Sequence, residues 1–276
     1  MTVIESGASG AIPTFGQKMR DVWRLGDYSV IGTTLQLCGE LLCEAADIAA
    51  GERVLDVAAG NGNAALAAAR RGGEVIASDY VQALLDDAAA RAVAEGLELA
   101  LSRSDAEELP FEDGSFDLVL SSFGVMFTTD HAKAAAELIR VCRPGGRIGL
   151  ASWTPDSFIG RVLATVRQHA VQPPGAPSPL VWGDPRRLAA LLGGEVTLRT
   201  TVREHIFRYR SPQVWLATFR TFYGPMNSAF NRPDVDVDSL QADLLSVVDE
   251  FNTARDGRMR VPGSYLEAVA VRRPTS

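Results

Sequence analysis

The chain has 276 residues, of which 46% are hydrophobic, and it carries a formal net charge of −7 at pH 7. This composition is typical of a globular enzyme with a substantial core and excludes a disordered chain. Because no basic run offsets the acidity, the charge argues against a nucleic-acid partner held through its phosphates. There is no secretory leader and no apolar run of about 18 residues, so we expect a cytoplasmic protein with no membrane partner.

The three cysteines, Cys38, Cys43 and Cys142, are odd in number and show no metal-ligand spacing. Histidine and acidic residues also lack such spacing. The sequence therefore predicts reduced, buried cysteines and no metal site.

The chain opens with a loose arm over residues 1–12, followed by a helical segment from about 15 to 50 that is interrupted at Gly26 and Gly32. An alternation of short apolar runs and helical patterns then begins, and it predicts βαβ units with a parallel sheet. The predicted strands of this part are 53–59, 74–79, 97–105, 115–123 and 147–153. The helices between and after them are 63–71, 81–96, 130–142 and 157–171.

The pattern changes after residue 153. A proline-rich connector over 172–185 is predicted to hold no regular structure, and a short capped helix follows at 184–194. Two late strands, 195–210 and 258–273, flank a helical insertion from 211 to about 251. Two such strands are typical of an antiparallel pair at the edge of a parallel sheet.

These elements predict an α/β fold of the Rossmann-like, doubly wound type. Its seven-stranded sheet is mostly parallel, with an antiparallel edge strand and a helical lid. We expect three parts along the chain: an N-terminal helical cap over 1–50, a cofactor-binding core over 51–155, and the rest of the core over 156–276. The lid insertion lies within the last part, at about 211–255.

The turn after the first strand, in "VLDVAAGNG", indicates the kind of ligand. Ligands of open parallel sheets bind outside the carboxyl ends of the strands, near the first one. The glycines Gly60 and Gly62 stand two residues apart and do not form the G-x-G-x-x-G pattern of dinucleotide sites. Asp56, just before the turn, would repel a pyrophosphate and would suit an ammonium group. A plain turn without a ligand is the alternative.

Acidic residues follow the next two strands. Asp79 ends the second strand, where a carboxylate can accept both hydroxyls of a ribose. Asp105 and Ala106 follow the third strand and are placed to recognise an adenine. Leu84 offers an apolar surface for the purine. Together these residues predict an adenosine-containing ligand.

Four stretches in the same order, "VLDVAAGNG", "VIASDY", "SDAEELPFEDGSFDLVLSSFGVMF" and "ELIRVCRPGGRIGLASW", resemble the class I S-adenosylmethionine-dependent methyltransferases. The most similar group includes the ubiquinone- and menaquinone-biosynthesis C-methyltransferases. The resemblance covers roughly residues 50–153. It implies S-adenosylmethionine as the cofactor, with its ribose on Asp79 and its adenine at Asp105 and Ala106. It also implies that Ala58, Gly60 and Gly62 line the methionine part and that the stretch from Ser121 to Phe123 passes beside the sulfonium. The remaining residues predicted to bind the cofactor are Asp56, Asn61, Tyr80 and Leu84.

Two positions depart from the family pattern. Members usually have glycine where Ala58 stands, and threonine, serine or another small residue where Asn61 stands. An alanine is tolerated if its φ angle is negative, so we expect an altered affinity for the cofactor rather than its loss.

No catalytic residue is evident, and His131 is a weak candidate for a general base. It follows Asp130 at the start of a helix, whose dipole favours the neutral imidazole that a base requires. A surface position on the first helical turn is the alternative. Carbon and nitrogen acceptors often need no base.

Aromatic residues outside the shared motifs are candidates for the acceptor site. Trp215, Phe219 and Phe222 form a stripe on the predicted lid, although such a stripe is more often core packing. Trp23 and Tyr28 offer a second wall, and Trp182 offers a third. The predicted function is methyl transfer to a small, largely apolar metabolite, with a homodimer left open. The alternatives are a non-catalytic S-adenosylmethionine-binding sensor or partner protein and, with less support, a nicotinamide-dependent oxidoreductase.

Overall fold

Seven strands of the computed structural model form one mixed sheet in the order β3-β2-β1-β4-β5-β7-β6. The structure describes residues 21–170, 172 and 175–274, so the predicted arm over 1–12 lies outside the described residues. The strands are β1 (Arg53–Val57), β2 (Glu74–Asp79), β3 (Ala100–Arg103), β4 (Phe116–Ser122), β5 (Cys142–Trp153), β6 (Val196–Tyr209) and β7 (Met259–Arg272).

Ten α-helices connect these strands within the described residues. They are α1 (Tyr28–Gly32), α2 (Gln36–Ala45), α3 (Asn63–Arg70), α4 (Gln82–Glu95), α5 (His131–Val141), α6 (Phe158–His169), α7 (Pro185–Leu192), α8 (Pro212–Phe222), α9 (Gly224–Phe230) and α10 (Val237–Phe251). No helix in this part of the chain combines the length and the apolarity that crossing a bilayer demands.

The strand order confirms the doubly wound fold. β1 pairs in parallel with both β2 and β4, so the chain winds outward from β1 in one direction and then in the other. Because parallel crossovers are right-handed, the helices after β1 and β2 lie on one face of the sheet and the helix after β4 on the other. The carboxyl ends of β1 and β4 therefore bound the switch-point crevice in which ligands of such sheets bind.

The late strands form the antiparallel pair expected at one edge. β7 pairs antiparallel with β5 on one side and with β6 on the other, so β7 lies inside the sheet and β6 forms the edge. β5 begins earlier than the predicted residue 147, because Cys142 already pairs with Phe116 before a register shift. The described residues of the proline-rich connector include a 3₁₀ turn, Pro179–Val181, where we expected no regular structure.

The segment before α1 packs closely on the helices of the insertion. A Cβ atom at Gly26 would lie 2.7 Å from the carbonyl oxygen of Phe222, and one at Gly224 would lie 2.4 Å from that of Val22. Such distances leave room for hydrogen only, so glycine is required at both positions. These two contacts join the N-terminal segment to the α8–α9 junction above the switch point.

Candidate active site

A cleft opens at the carboxyl ends of β1, β2 and β4, where the topology predicts a ligand. It encloses about 960 Å³ of atom-free space, part of it open to solvent. Most of the predicted cofactor residues line it, together with the first two predicted acceptor residues. The residues that were predicted and line the cleft are Trp23, Tyr28, Ala58, Gly60, Asn61, Asp79, Tyr80, Leu84, Asp105, Ala106 and Phe123.

The turn after β1 has a left-handed backbone. The φ angles of Ala58, Gly60 and Gly62 are 53°, 55° and 82°. From the sequence we expected alanine to be tolerated at position 58 if its φ angle were negative. The angle is positive, so Ala58 carries the strain of a left-handed conformation. Gly124 makes room for the methyl group, because a Cβ at Gly124 would lie 2.7 Å from the Cβ of Ala58.

Asp79 ends β2 at the wall of the cleft and is 7% exposed. Its Oδ2 atom accepts the backbone N–H of Gly60 at 2.9 Å, and its Oδ1 atom accepts that of Val81 at 2.9 Å. Burial raises the pKa of this carboxyl group, and the backbone hydrogen bonds oppose the rise. Because a carboxylate has about four acceptor positions, Asp79 retains capacity for the hydroxyl groups of a ligand.

Asp56 does not line the cleft, which corrects the expectation that it contacts the ammonium group of a ligand. It is 1% exposed and lies beneath the turn, where Oδ2 accepts the backbone N–H of Ala65 at 2.8 Å. Its Oδ1 atom has no partner in the described residues. Burial raises the pKa of Asp56 to about 8, although the bond from Ala65 lowers it. The residue therefore supports the turn from below.

Gly62 and Ser121 also lie behind the cleft wall. Gly62 caps α3, and a Cβ there would lie 2.9 Å from the Cβ of Ala88, so its role is helix packing. The hydroxyl of Ser121 donates to the carbonyl of Val57 at 2.7 Å and accepts the backbone N–H of Val125 at 3.1 Å, and the residue does not line the cleft. The next residue, Ser122, lines the cleft instead.

Glu107 lines the far side of the cleft and was missed in the sequence. Its Oε1 atom accepts the hydroxyl of Thr129 at 2.8 Å and the backbone N–H of Asp130 at 3.0 Å. Its own N–H donates to Oδ1 of Asp105 at 3.0 Å. Glu107 thus ties the loop after β3 to the start of α5. Its place directly after Asp105 and Ala106 in "SDAEELPF" was the feature of the sequence that could have indicated it.

Helix α1 closes over the turn, a contact that the sequence did not indicate. The ring of Tyr28 lies against Gly60, where a Cβ would be 3.3 Å from it. Asn63 donates to the carbonyl of Gly32 at 2.7 Å, and Asn61 donates to that of Ser29 at 3.4 Å. The asparagine at position 61, where the family usually has a smaller residue, thus connects the turn to α1.

A second cavity, here called the aromatic pocket, adjoins the cleft and holds about 310 Å³ of atom-free space, part of it open to solvent. Phe123 lies between the two, has a φ of 57°, and stacks on Trp153 with ring centroids 4.2 Å apart. A bulky residue with positive φ is costly and is often found at functional sites. The residues that line the pocket are Trp23, Tyr28, Ile31, Leu35, Phe123, Phe127, Trp153, Ile159, Phe207, Phe219 and Tyr223.

The predicted aromatic stripe on α8 divides between the pocket and the core. Phe219 lines the pocket, but Trp215 is fully buried with its ring 5.2 Å from that of Phe158. Phe222 is partly buried against the core and lines neither cavity, and Trp182 is fully buried. The structure does not bring Trp182, Trp215 or Phe222 to the cleft or to the aromatic pocket, because all three pack against the core.

His131 is 9% exposed and lines neither the cleft nor the aromatic pocket. Its ring lies 5.9 Å from that of Trp182, and its Nε2 atom has no partner in the described residues. Burial lowers the pKa of His131, with Glu107 opposing this shift. Burial thus favours the neutral imidazole, for which the sequence had suggested the helix dipole, but His131 does not reach the cleft or the aromatic pocket and is not placed to act there as a base.

The fold and the cleft define a doubly wound α/β protein with a ligand-sized cleft at its switch point. A family model described as a methyltransferase domain matches residues 55–150. A demethylmenaquinone methyltransferase of Deinococcus radiodurans is 33% identical over 180 residues, which cover 62% of this chain and 69% of that protein. The chain belongs to the S-adenosylmethionine-dependent methyltransferases, and its cofactor is S-adenosylmethionine.

Other relatives extend the similarity along the chain. An uncharacterised protein of Mycobacterium tuberculosis is 43% identical over 225 residues, which cover 79% of this chain and 81% of that protein. The YcgJ protein of Bacillus subtilis has the same fold, with a TM-score of 0.57 at 20% identity over 85% of this chain and 97% of that one. The comparisons therefore support assignment to the methyltransferases along most of the chain.

Proposed function

We propose that the protein transfers a methyl group from S-adenosylmethionine to a small, largely apolar acceptor bound in the aromatic pocket. The observation that carries this proposal is the continuity of the two cavities. The cleft and the pocket share the side chains of five residues, Trp23, Tyr28, Leu35, Phe123 and Phe127. A molecule in the pocket would therefore be in contact with the same residues as a cofactor in the cleft.

The cleft fits the cofactor in its chemistry. In this proposal Asp79 accepts hydrogen bonds from the ribose hydroxyls, and Asp105 and Ala106 hold the adenine, with Leu84 against its ring. The left-handed turn at Gly60 exposes backbone to the methionyl end. Bound S-adenosylmethionine supplies an electrophilic methyl group, whereas the protein binds, orients and excludes water.

The pocket contributes orientation rather than acid–base chemistry. Among the described residues that line it there is no histidine, lysine, aspartate or glutamate. An acceptor held against the Phe123–Trp153 stack is restricted to few orientations, and alignment of reacting groups supplies a large part of the rate in such displacements. We infer that the acceptor brings a nucleophile that needs no base from the pocket walls.

The name of one relative is consistent with an apolar acceptor. The Deinococcus radiodurans protein is named as a demethylmenaquinone methyltransferase, so its acceptor is a quinone-type compound. A ring system of that kind is flat and largely apolar, which suits walls made of aromatic rings. We therefore place quinone-like and phenolic compounds first among the acceptors to be tested.

The test is a methylation assay with S-adenosylmethionine and a panel of phenolic and quinol compounds, read by mass spectrometry of the products. The variant Ile159→Phe fills the pocket from α6, and Ile206→Phe makes the same change on β6 outside it. We expect Ile159→Phe to lose product at least tenfold while S-adenosylhomocysteine still binds, and Ile206→Phe to keep both. Tight binding of S-adenosylhomocysteine without any product, or full turnover by Ile159→Phe, would contradict the proposal.

A further inference from the structure

Two tyrosine side chains, those of Tyr28 and Tyr223, bring hydroxyl groups to the otherwise largely apolar lining of the aromatic pocket. Tyr28 is the first residue of α1, and Tyr223 lies between α8 and α9. Both line the pocket, and the ring of Trp23 contacts each of them, with centroids 5.6 Å from Tyr28 and 5.7 Å from Tyr223. The three rings form one wall, built from the N-terminal segment and the insertion.

Both tyrosines line the aromatic pocket, whose other lining residues carry no oxygen atom in their side chains. Burial is the largest influence on the pKa of both residues and raises it, so both phenols stay protonated and are available as donors. A ligand oxygen in the pocket could therefore accept a hydrogen bond from them.

The two tyrosines are joined through Trp23, whose ring contacts both of their rings. Tyr28 also lines the cofactor cleft, whereas Tyr223 lines the aromatic pocket alone. Tyr28 is therefore located at the junction of the two cavities, and Tyr223 lies on the pocket side of the same wall.

We propose that the hydroxyls of Tyr28 and Tyr223 donate hydrogen bonds to an oxygen atom of the acceptor and so position it for methyl transfer. The acceptor is then a flat apolar molecule that bears a phenol, phenolate, enolate or carbonyl oxygen. This inference rests on the proposed function, because it concerns the occupant of the same pocket. A site with two donors discriminates strongly against an analogue that lacks the oxygen, since the donors would be left unpaired.

The experiment measures binding of 2-naphthol and of naphthalene by fluorescence titration, with S-adenosylhomocysteine present in saturating amount. The two probes differ only in the hydroxyl group. We expect each of Tyr28→Phe and Tyr223→Phe to weaken 2-naphthol binding by about 5- to 10-fold, the range for loss of one hydrogen bond. Naphthalene binding is expected to stay within about twofold, because phenylalanine preserves the ring packing.

Tyr209→Phe is the matched control, because it removes a buried tyrosine hydroxyl that has no partner in the described residues and lies outside the aromatic pocket, in a groove between α2 and β6. It is expected to leave 2-naphthol binding unchanged. The inference is overturned if both pocket variants bind 2-naphthol as the wild type does, or if they lose naphthalene equally. Absence of 2-naphthol binding to a wild-type protein that binds S-adenosylhomocysteine also overturns it. Absence of S-adenosylhomocysteine binding would instead refute the cofactor site, and methylation of an oxygen-free acceptor would leave the proposed function intact.

Discussion

The carboxyl group of Asp56 predicts an unusual dependence of stability on pH. Burial beneath the turn after β1 raises its pKa to about 8 in the folded protein, and one of its oxygen atoms has no partner in the described residues. In the unfolded chain an aspartate titrates near about 3.9. Between these two values the folded state holds a proton that the unfolded state has released. The contribution of this group to stability is therefore complete below about pH 4 and is lost as the pH rises towards 8.

The magnitude follows from one proton. Where the folded state binds one more proton than the unfolded state, the free energy of unfolding falls by about 1.4 kcal/mol for each pH unit. The isosteric change Asp56→Asn removes the titration, and its side-chain oxygen can still accept the N–H of Ala65. We therefore compare the free energies of unfolding of the wild type and of Asp56→Asn. Between pH 6 and 7.5 we expect the value of the wild type to fall by about 2 kcal/mol relative to that of the variant.

Urea unfolding of the ligand-free protein, followed by circular dichroism at several pH values, measures this difference. Subtracting the free energy of unfolding of one protein from that of the other cancels the contributions of the titrating groups that both share. Asp56→Asn also leaves an amide N–H₂ group buried, so its absolute stability is not the test, and only the pH dependence is. Parallel curves for the two proteins across this range would refute the assignment of a proton to the buried Asp56 carboxyl.

Two further changes test the geometry of the turn. Ala58→Gly should raise the free energy of unfolding, measured in urea, by about 1 kcal/mol, because it removes the strain of a positive φ. A lower free energy of unfolding for the variant would show that the packing of the Ala58 methyl group against Gly124 contributes more than the strain costs. Gly32→Ala should destabilise the wild type, because the new Cβ would lie 2.6 Å from Oδ1 of Asn61. In a protein that already carries Asn61→Ala, the same change should stabilise the fold by about 0.5–1 kcal/mol, because alanine is favoured over glycine in a helix. A double-mutant cycle measures this coupling, and equal effects in both backgrounds would contradict the contact.

The alternation of strands and helices was sufficient to predict the sheet, and the motifs were sufficient to locate the cleft. Local patterns could do this because a βα turn and the acid after the next strand are set within a short stretch of chain. Trp215 and Phe219 show where such patterns fail. They lie one helical turn apart on α8, but one packs in the core and the other lines the pocket. Their positions depend on α6 and β6, which no local pattern places against α8.

Ala58 gives a second example of the same limit. A negative φ was the condition under which alanine would be tolerated, and the glycine that the family usually has at this position was the available sign of a left-handed conformation. The space for its methyl group comes from Gly124, which is distant in the chain and adjacent only in the fold. Asn61 is similar, because its role depends on α1. Residues whose function is to join distant segments are recognised only when those segments are in place.

The central claim is that Asp79 holds the cofactor in the cleft at the switch point, and calorimetric titration with S-adenosylhomocysteine tests it most directly. The comparison is between wild type, Asp79→Asn and Asp117→Asn. Asp117 is the matched control because it also accepts a backbone N–H, that of Arg53 at 2.9 Å, and it does not line the cleft. We predict that Asp79→Asn raises the Kd at least about tenfold, as for loss of one hydrogen bond to a charged group, and that Asp117→Asn leaves it unchanged. Equal affinity in all three proteins would contradict the account.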